Sequence, residues 1–239
     1  MINLKVFLAF ILTITICIAT ATIAENSKHL IKNVSAEFAN ENVIIIDAGH
    51  GNFDGGAVAA DGTVEKNLNL QIAQHLNYIC RSNGLFVHMV RNDDSSLEDN
   101  SNTSIRNRKN SDLRDRVLLM EKYEKSIYIS IHMNKFSDSN VHGAQIFYSP
   151  NFENSKVLAE SLRDYVNLFD EFNSKSIKKG TKDAHILYNA KCPTVIFECG
   201  FMSNIQELTK LKDYDYQRKI AFSIYLGIIQ YFNINIKEK

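Results

Sequence analysis

The stretch IIIDAGHGNFDGGAV, residues 44–58, contains the residues that decide the fold and the chemistry of this chain. Three isoleucines precede Asp47, and a short run of β-branched apolar residues is typical of a strand buried within a sheet. Four glycines follow between residues 49 and 56, and His50 lies among them. A buried strand has no packing need for a histidine at its end, so His50 is the first candidate for a functional side chain.

The composition is that of an ordinary globular protein. The chain has 239 residues, of which 45% are hydrophobic and 23% charged, and its formal net charge is +0. Such a length is typical of one domain with or without a targeting segment. Because a nucleic-acid-binding surface is usually basic, the balanced charge argues against a nucleic-acid partner.

The first 24 residues have the layout of an export signal. Lys5 precedes an apolar run from Val6 to Ile18, and the small residues Ala19-Thr20-Ala21 offer a cleavage site. A retained membrane anchor is the alternative, because the apolar stretch reaches Ala24 and about 20 residues span a bilayer. In both cases we expect export, with the membrane contacted only through this segment.

The rest of the chain divides into a linker and one domain. Residues 25–41 are mixed and polar, which indicates a linker, and residues 42–239 form the predicted catalytic domain. This domain holds three cysteines, Cys80, Cys192 and Cys199. An odd number in a chain of this length does not indicate a disulfide framework, so we expect buried free thiols.

Strand and helix patterns alternate along the domain. Residues 92–112 are polar and predict an exposed loop. Strands are predicted at 43–47, 85–91, 126–134, 143–149, 193–200 and, more weakly, 185–189; helices are predicted at 65–84, 113–125, 154–169, 204–211 and 216–232. This alternation predicts an α/β fold, a three-layer sandwich in which a mostly parallel mixed sheet of about six strands has helices on both faces.

Polar side chains stand at the ends of three predicted strands. His50 follows the first, His132 lies near the end of SIYISIHMN (126–134), and Glu198 closes TVIFE; Glu65 begins the first helix. In proteins with such a sheet, bound molecules lie beyond the carboxyl ends of the strands. Two imidazoles and one carboxylate are the protein ligands of one kind of catalytic zinc site, and a second carboxylate near such a site can transfer protons. The pattern alone does not divide these two roles between the carboxylates.

For the remaining histidines and for Cys199, we expect surface or structural roles rather than metal binding or catalysis. A single histidine is more often a surface or hydrogen-bonded residue than a ligand, and we expect this of His29, His75, His88, His142 and His185. Cys199 could suggest a cysteine nucleophile. Neighbours in a strand point to opposite faces, so Cys199 and Glu198 cannot both face the site, which argues against that role.

Four blocks of the sequence together resemble a known enzyme family. They are IIIDAGHGNFDGGAV (44–58), EKNLNLQIAQHL (65–76), SIHMN (130–134) and PTVIFECGFMSN (193–204). In this order and spacing the chain resembles the zinc-dependent N-acetylmuramoyl-L-alanine amidases of type 3 over about residues 42–232. The resemblance implies that His50, Glu65 and His132 bind one Zn²⁺ and that Glu198 is the catalytic carboxylate. It also implies hydrolysis of the amide between the lactyl group of muramic acid and L-alanine of the stem peptide.

The resemblance extends to two supporting residues. LRDR (113–116) is similar to the family's Leu-x-x-Arg segment, which implies that Arg116 supports the site. Asn134 matches the family's asparagine after the second histidine, and we expect it to shape the substrate groove. LLMEK (118–122) stands where the family usually has an alanine–asparagine pair, so we expect the packing there to differ.

Within this family, the chain is similar to the spore-cortex, germination-type members. We see no wall-binding repeat module in the sequence, only one exported catalytic domain. In that subgroup the enzyme removes stem peptides so that muramic lactam forms in the cortex. The resemblance implies a location in the cell envelope or forespore intermembrane space, peptidoglycan as substrate, and an accessory exported protein or lipoprotein as partner.

Two other functions are compatible with the same residues. A zinc endopeptidase of peptidoglycan cross-links would use the same metal ligands, and only the groove would distinguish it. A non-enzymatic wall-binding relic of the fold is the other alternative, although all four expected site residues are present.

Overall fold

The structure is a computed structural model, and it describes residues 13–16, 18–20, 22, 42–98 and 104–237. Parts of the predicted export segment (1–24) are helical, and the rest of that segment and all of the predicted linker (25–41) lie outside the described residues. Among the helices that are described, none combines the length and the apolar character needed to cross a bilayer.

Six strands form one mixed sheet in the order β2-β1-β3-β6-β4-β5. Strands β2, β1, β3 and β6 run parallel, β4 is antiparallel to β6, and β5 is parallel to β4. The strands are β1 (Val43–Ala48), β2 (Phe86–Met89), β3 (Ser126–Asn134), β4 (Gln145–Tyr148), β5 (Lys178–Lys179) and β6 (Thr194–Phe201). The predicted fold class, a mostly parallel mixed sheet of about six strands, is confirmed.

Helices cover both faces of this sheet. They are α1 (Glu65–Ser82), α2 (Ile105–Met120), α3 (Glu153–Arg163), a 3₁₀ turn (Val166–Leu168), α4 (His185–Tyr188), α5 (Ile205–Leu211) and α6 (Tyr214–Lys237). Apolar residues of α1, α3 and α6 pack in one core, and those of α2 and α4 pack in a second. The three-layer sandwich is therefore also confirmed.

Strand β1 shows why the central strands are uninterrupted apolar runs. Ile44 and Ile46 belong to the core under α1 and α6, whereas Ile45 belongs to the core under α2. Successive side chains of a strand point to opposite faces, and here both faces are covered. All three isoleucines are therefore buried.

Two local predictions are wrong. Residues 105–112, predicted as loop, are the first half of α2, and the polar side chains of Ser111 and Asp112 are buried there. Asp112 accepts a hydrogen bond from the main chain of Leu97 at 2.7 Å and binds Arg116, so its burial depends on tertiary partners. Residues 185–189, predicted as strand, form the short helix α4, because a short apolar run fits either structure.

The packing of α6 on α3 generates a prediction about Gly227. An added Cβ at this buried position would lie 2.6 Å from the Cα of Leu162 on α3. Helix propensity alone predicts that Gly227→Ala stabilises the protein by about 1 kcal/mol. We expect the opposite sign, a loss of about 1–3 kcal/mol in the free energy of unfolding measured in urea, because the helices must separate.

Lys219→Ala, on the exposed side of the same helix, is the matched control. It should change the free energy of unfolding by less than about 0.5 kcal/mol. A stabilised Gly227→Ala protein would contradict the close approach of α3 and α6.

Candidate active site

Four predicted side chains meet at the carboxyl edge of the central strands. His50 follows β1, His132 lies in β3 and Glu198 lies in β6, and these three strands are neighbours. His132 and Glu198 are direct partners in the β3–β6 register. Glu65 is the first residue of α1, which packs against β1 and β3. The topology therefore brings together residues that are up to 148 positions apart in sequence.

His50, Glu65 and His132, which we call the His–Glu–His group, offer ligand atoms within 4.8 Å of one another. The Oε1 atom of Glu65 lies 3.3 Å from Nε2 of His50 and 3.0 Å from Nδ1 of His132. The two imidazole rings meet edge to face, with centroids 4.8 Å apart. Two imidazole nitrogens and one carboxylate at this spacing can hold a metal ion.

Glu65 is held by main-chain groups as well as by the imidazoles. Its Oε2 accepts a hydrogen bond from the N–H of Ala57 at 2.8 Å, and its Oε1 accepts one from Met133 at 3.1 Å. Burial alone would raise the pKa of this carboxyl, but hydrogen bonds from His132 and His50 lower it well below its usual range. Glu65 is therefore ionised, as a metal ligand must be.

His50 has an unusual backbone conformation, with φ of 64° in the left-handed region. Such a conformation is uncommon for a residue with a side chain and needs support from its surroundings. The Nδ1 atom of His50 lies 2.8 Å from Oδ2 of Asp54. Burial lowers the pKa of the imidazole, but hydrogen bonds with Asp54 and Glu65 have the larger combined effect and raise it to about 9.

The main support of the His50 backbone is Arg116. Its guanidinium donates to the carbonyl of His50 at 2.9 Å and to Asp112 at 2.7 Å, and it binds the carboxylate of Asp47 at the end of β1. Asp47 also accepts a hydrogen bond from Ser130 on β3 at 2.7 Å. Burial would raise the pKa of Asp47, but Arg116 and Ser130 keep it below its ordinary value.

A second buried arginine, Arg91, holds the residues just before His50. It donates to the carbonyls of Ala48 at 2.8 Å and Gly49 at 3.1 Å, and to the carbonyl of Lys66 at 2.8 Å. The carbonyls of residues 48, 49 and 50 are thus bound by two guanidiniums. This arrangement fixes the course of the chain from β1 into the His–Glu–His group.

Two glycines of the opening stretch allow the side chains to approach the loop closely. A Cβ at Gly49 would overlap the ring of His132. At Gly56, where φ is 69°, a Cβ would lie 2.5 Å from Oε2 of Glu65 and 2.6 Å from the ring of His50. No larger residue fits at either position while the group keeps its geometry.

Glu198 differs from Glu65 in its surroundings. Its Oε2 atom is buried and has no hydrogen-bond partner among the described residues. Burial raises the pKa of this carboxyl to about 7; the imidazoles of His132 and His50 act against the shift, and the charge of Glu65 adds to it. A buried carboxylate oxygen without a partner among the described residues, beside a group that can hold a metal ion, needs a functional explanation, since unpaired buried polar groups are costly.

Asn134, the other predicted site residue, lies at the end of β3. Asn134 is the half-buried last residue of β3, beyond a register shift between His132 and Asn134, and its carbonyl accepts a hydrogen bond from Met202 at 2.8 Å. Its expected role in the substrate groove stays a prediction.

Cys199 is buried and belongs to the core, and burial raises the pKa of its thiol well above the ordinary value, so it is not a thiolate nucleophile. Cys80 and Cys192 are likewise buried free thiols, as predicted.

Sequence reasoning missed three residues that touch this site: Asp54, Arg91 and Lys109. Asp54 lies inside the opening stretch, four residues after His50, and its spacing could have identified it. Arg91 ends the second predicted strand, where a charged residue after a buried run is itself notable. Lys109, which binds Asp54 at 2.8 Å, lies in the segment predicted as loop and left no comparable pattern.

Comparison with known proteins shows which family and which solved structures this chain is similar to. Residues 44–230 match the family described as N-acetylmuramoyl-L-alanine amidase. The germination-specific N-acetylmuramoyl-L-alanine amidase of Bacillus subtilis (strain 168) is 34% identical over 190 residues, which make up 80% of this chain and 79% of that protein.

Two solved structures extend the similarity to the fold. The CwlD amidase from Clostridioides difficile, in complex with the GerS lipoprotein, has a TM-score of 0.76 and 37% identity over 80% of this chain and 98% of that one. The catalytic domain of CwlV, an N-acetylmuramoyl-L-alanine amidase from Bacillus (Paenibacillus) polymyxa var. colistinus, has a TM-score of 0.69 and 30% identity, with coverage of 80% and 98%.

The buried arginine generates a stability prediction. Arg116→Met leaves Asp47 and Asp112 without their cation, so we expect a loss of about 3–5 kcal/mol in the free energy of unfolding, measured in urea by circular dichroism. Arg114→Met, on the exposed side of the same helix, is the control and should change it by less than about 0.5 kcal/mol. Equal effects of the two substitutions would show that the buried network does not stabilise the fold.

Proposed function

We propose that this chain, which belongs to the N-acetylmuramoyl-L-alanine amidase family, removes stem peptides from the peptidoglycan of the spore cortex. Its family and its relatives make it an N-acetylmuramoyl-L-alanine amidase, a hydrolase of cell-wall peptidoglycan. Support for the cortex role comes from the germination-specific relative and from the CwlD amidase. In that role, removal of stem peptides precedes the formation of muramic lactam.

The observation that carries the catalytic proposal is that the His–Glu–His group lies beside Glu198, whose buried Oε2 has no hydrogen-bond partner among the described residues. We propose that His50, Glu65 and His132 hold one Zn²⁺. Two neutral imidazoles and one carboxylate are a ligand set of catalytic zinc, in which a fourth position stays open for water or substrate. When bound, zinc lowers the pKa of water from about 15.7 toward 7 and polarises a carbonyl oxygen.

Glu198 is the proposed catalytic carboxylate. Its buried Oε2 has no partner among the described residues and stands beside His132, so it is free to accept a proton from the attacking water. The same carboxyl then donates that proton to the nitrogen of L-alanine as the amide bond breaks. Because Glu65 is already occupied by two imidazoles and two main-chain N–H groups, the two carboxylates divide the roles of ligand and proton carrier.

Other parts of the proposal concern the surroundings of the enzyme. Residues 1–24 would direct export to the cell envelope or the forespore intermembrane space, as a cleaved signal or an anchor. Asn134, the last residue of β3 and two residues after His132, would contact the glycan–peptide substrate. The CwlD amidase of C. difficile is in complex with a lipoprotein, and we propose that an accessory lipoprotein also binds this chain.

Cortex composition tests the cellular role. Deletion of the gene in the organism that encodes this chain should abolish muramic lactam in the spore cortex, because stem peptides then remain on the muramic acid. Mass spectrometry of digested cortex measures the lactam, and restoration by the wild-type gene is the control. Lactam at the wild-type level in the deletion strain would contradict the cortex role without affecting the assignment as an amidase.

Substitutions at the site test the division of roles. Glu198→Gln should retain one zinc ion per chain and lose about 10²- to 10⁴-fold in kcat, because it cannot carry the proton. His132→Ala, the matched variant within the His–Glu–His group, should lose zinc itself. Elemental analysis gives the zinc content, and mass spectrometry of released peptides gives the rate and the bond cut.

Two outcomes would overturn these assignments. Zinc loss in Glu198→Gln would make Glu198 a ligand. Peptides shortened within the cross-link, rather than released whole with L-alanine at their amino end, would favour the endopeptidase reaction.

A further inference from the structure

We infer that Asp54 is a positioning residue that fixes the orientation of the His50 imidazole, so that Nε2 rather than Nδ1 faces Glu65 and His132. The inference rests on the proposed function, in which His50 is a metal ligand. Asp54 itself contacts no other member of the His–Glu–His group in the described hydrogen bonds, so its effect on the metal would pass through His50.

The two nitrogens of His50 have different partners. Nδ1 lies 2.8 Å from Oδ2 of Asp54, and Nε2 lies 3.3 Å from Oε1 of Glu65. An ionised carboxylate can only accept hydrogen bonds, so Nδ1 carries a hydrogen toward Asp54. Nε2 faces Glu65 and His132. A metal held with these two residues would take the place of the hydrogen on Nε2, while Nδ1 keeps its hydrogen bond to Asp54.

Asp54 is itself held in place. Its Oδ1 lies 2.8 Å from Nζ of Lys109 on α2 and accepts a hydrogen bond from the N–H of Gly56 at 3.2 Å. The main chains of Asp54 and Gly51 exchange two hydrogen bonds, of 2.9 and 3.0 Å, which close a turn directly after His50. With Oδ1 and the backbone fixed, Oδ2 is a rigid acceptor for the imidazole.

His132 shows why His50 needs this partner. The ring of His132 projects from a central strand and packs directly on Gly49, so its orientation is set by packing. His50 lies on a loop with a left-handed backbone, and its ring is bonded on one side to Asp54 and on the other to Glu65. Ligands on loops are held less firmly than ligands on strands unless a further hydrogen bond orients them.

Zinc affinity of the full catalytic domain tests the inference. Asp54→Ala should weaken zinc binding about 10- to 100-fold in competition titrations with a chromophoric chelator, the usual effect of removing a residue that orients a metal-ligating histidine. Asp54→Asn keeps the size of the side chain and an acceptor oxygen, and it should weaken binding by a smaller factor.

Asp94→Asn is the matched control, because Asp94 anchors the same loop without touching an imidazole. Its carboxylate accepts hydrogen bonds from the main chain of Asn52 at 2.8 Å and from Nζ of Lys66 at 2.6 Å, and its side chain is 56% exposed. We expect the zinc affinity of Asp94→Asn to differ from that of the wild type by less than about fivefold, because an exposed ion pair contributes little free energy. A loss in Asp94→Asn equal to the loss in Asp54→Ala would mean that the order of the loop, and not the orientation of the imidazole, sets the zinc affinity, and it would overturn the inference.

Nuclear magnetic resonance of the ¹⁵N-labelled histidines gives a readout independent of activity. In the zinc-loaded wild type, His50 should show a protonated Nδ1 in slow exchange with water, and Asp54→Ala should lose that signal while the His132 signals persist. Unchanged zinc affinity and an unchanged His50 signal in both Asp54 variants would overturn the inference. Failure of the wild type to bind zinc would instead overturn the proposed metal site.

Discussion

The buried ion pair between Asp47 and Arg116 is the interaction on which the site depends. It joins the carboxyl end of β1 to α2, and Ser130 joins Asp47 to β3. The same guanidinium binds the carbonyl of His50. Because an unpaired buried charge is costly, removal of either side chain leaves the other destabilised. The folded protein therefore keeps Arg116 next to Asp47, and in this position Arg116 binds the carbonyl of His50.

The loop after β1 is preorganised by contacts from several directions. Arg91 and Arg116 bind three successive carbonyls, those of Ala48, Gly49 and His50. Gly49 and Gly56 leave room for the imidazole and carboxylate side chains that pack on the loop. A left-handed conformation at His50 can persist because the surroundings determine it at so many points. These contacts accompany a geometry in which His50, Glu65 and His132 offer ligand atoms within 4.8 Å of one another.

The two carboxylates of the site show how one sheet edge can supply different chemistry. Glu65 accepts hydrogen bonds from imidazoles and main-chain N–H groups, which favour its charged form and lower its pKa. Glu198 lies in the sheet, one of its oxygens has no hydrogen-bond partner in the part of the chain that the structure describes, and burial raises its pKa to about 7. Carboxylates whose environments push their pKa values apart are suited to different tasks, and this difference underlies the roles proposed for Glu65 and Glu198.

The apolar runs of β1, β3 and β6 predict the sheet, because strands covered on both faces must be apolar throughout. The polar residues at their ends identify His50, His132 and Glu198, and the start of α1 supplies Glu65. Polar contacts between residues that are distant in the sequence follow no such local pattern. The sequence patterns predict a loop for the first half of α2, and they do not identify Asp54, Arg91 and Lys109 as residues of the site. Their partners lie elsewhere in the sequence: Arg91 binds Ala48 and Gly49, and Lys109 binds Asp54. A polar side chain is stabilised in the interior only by specific partners, and the folded chain alone brings these partners together.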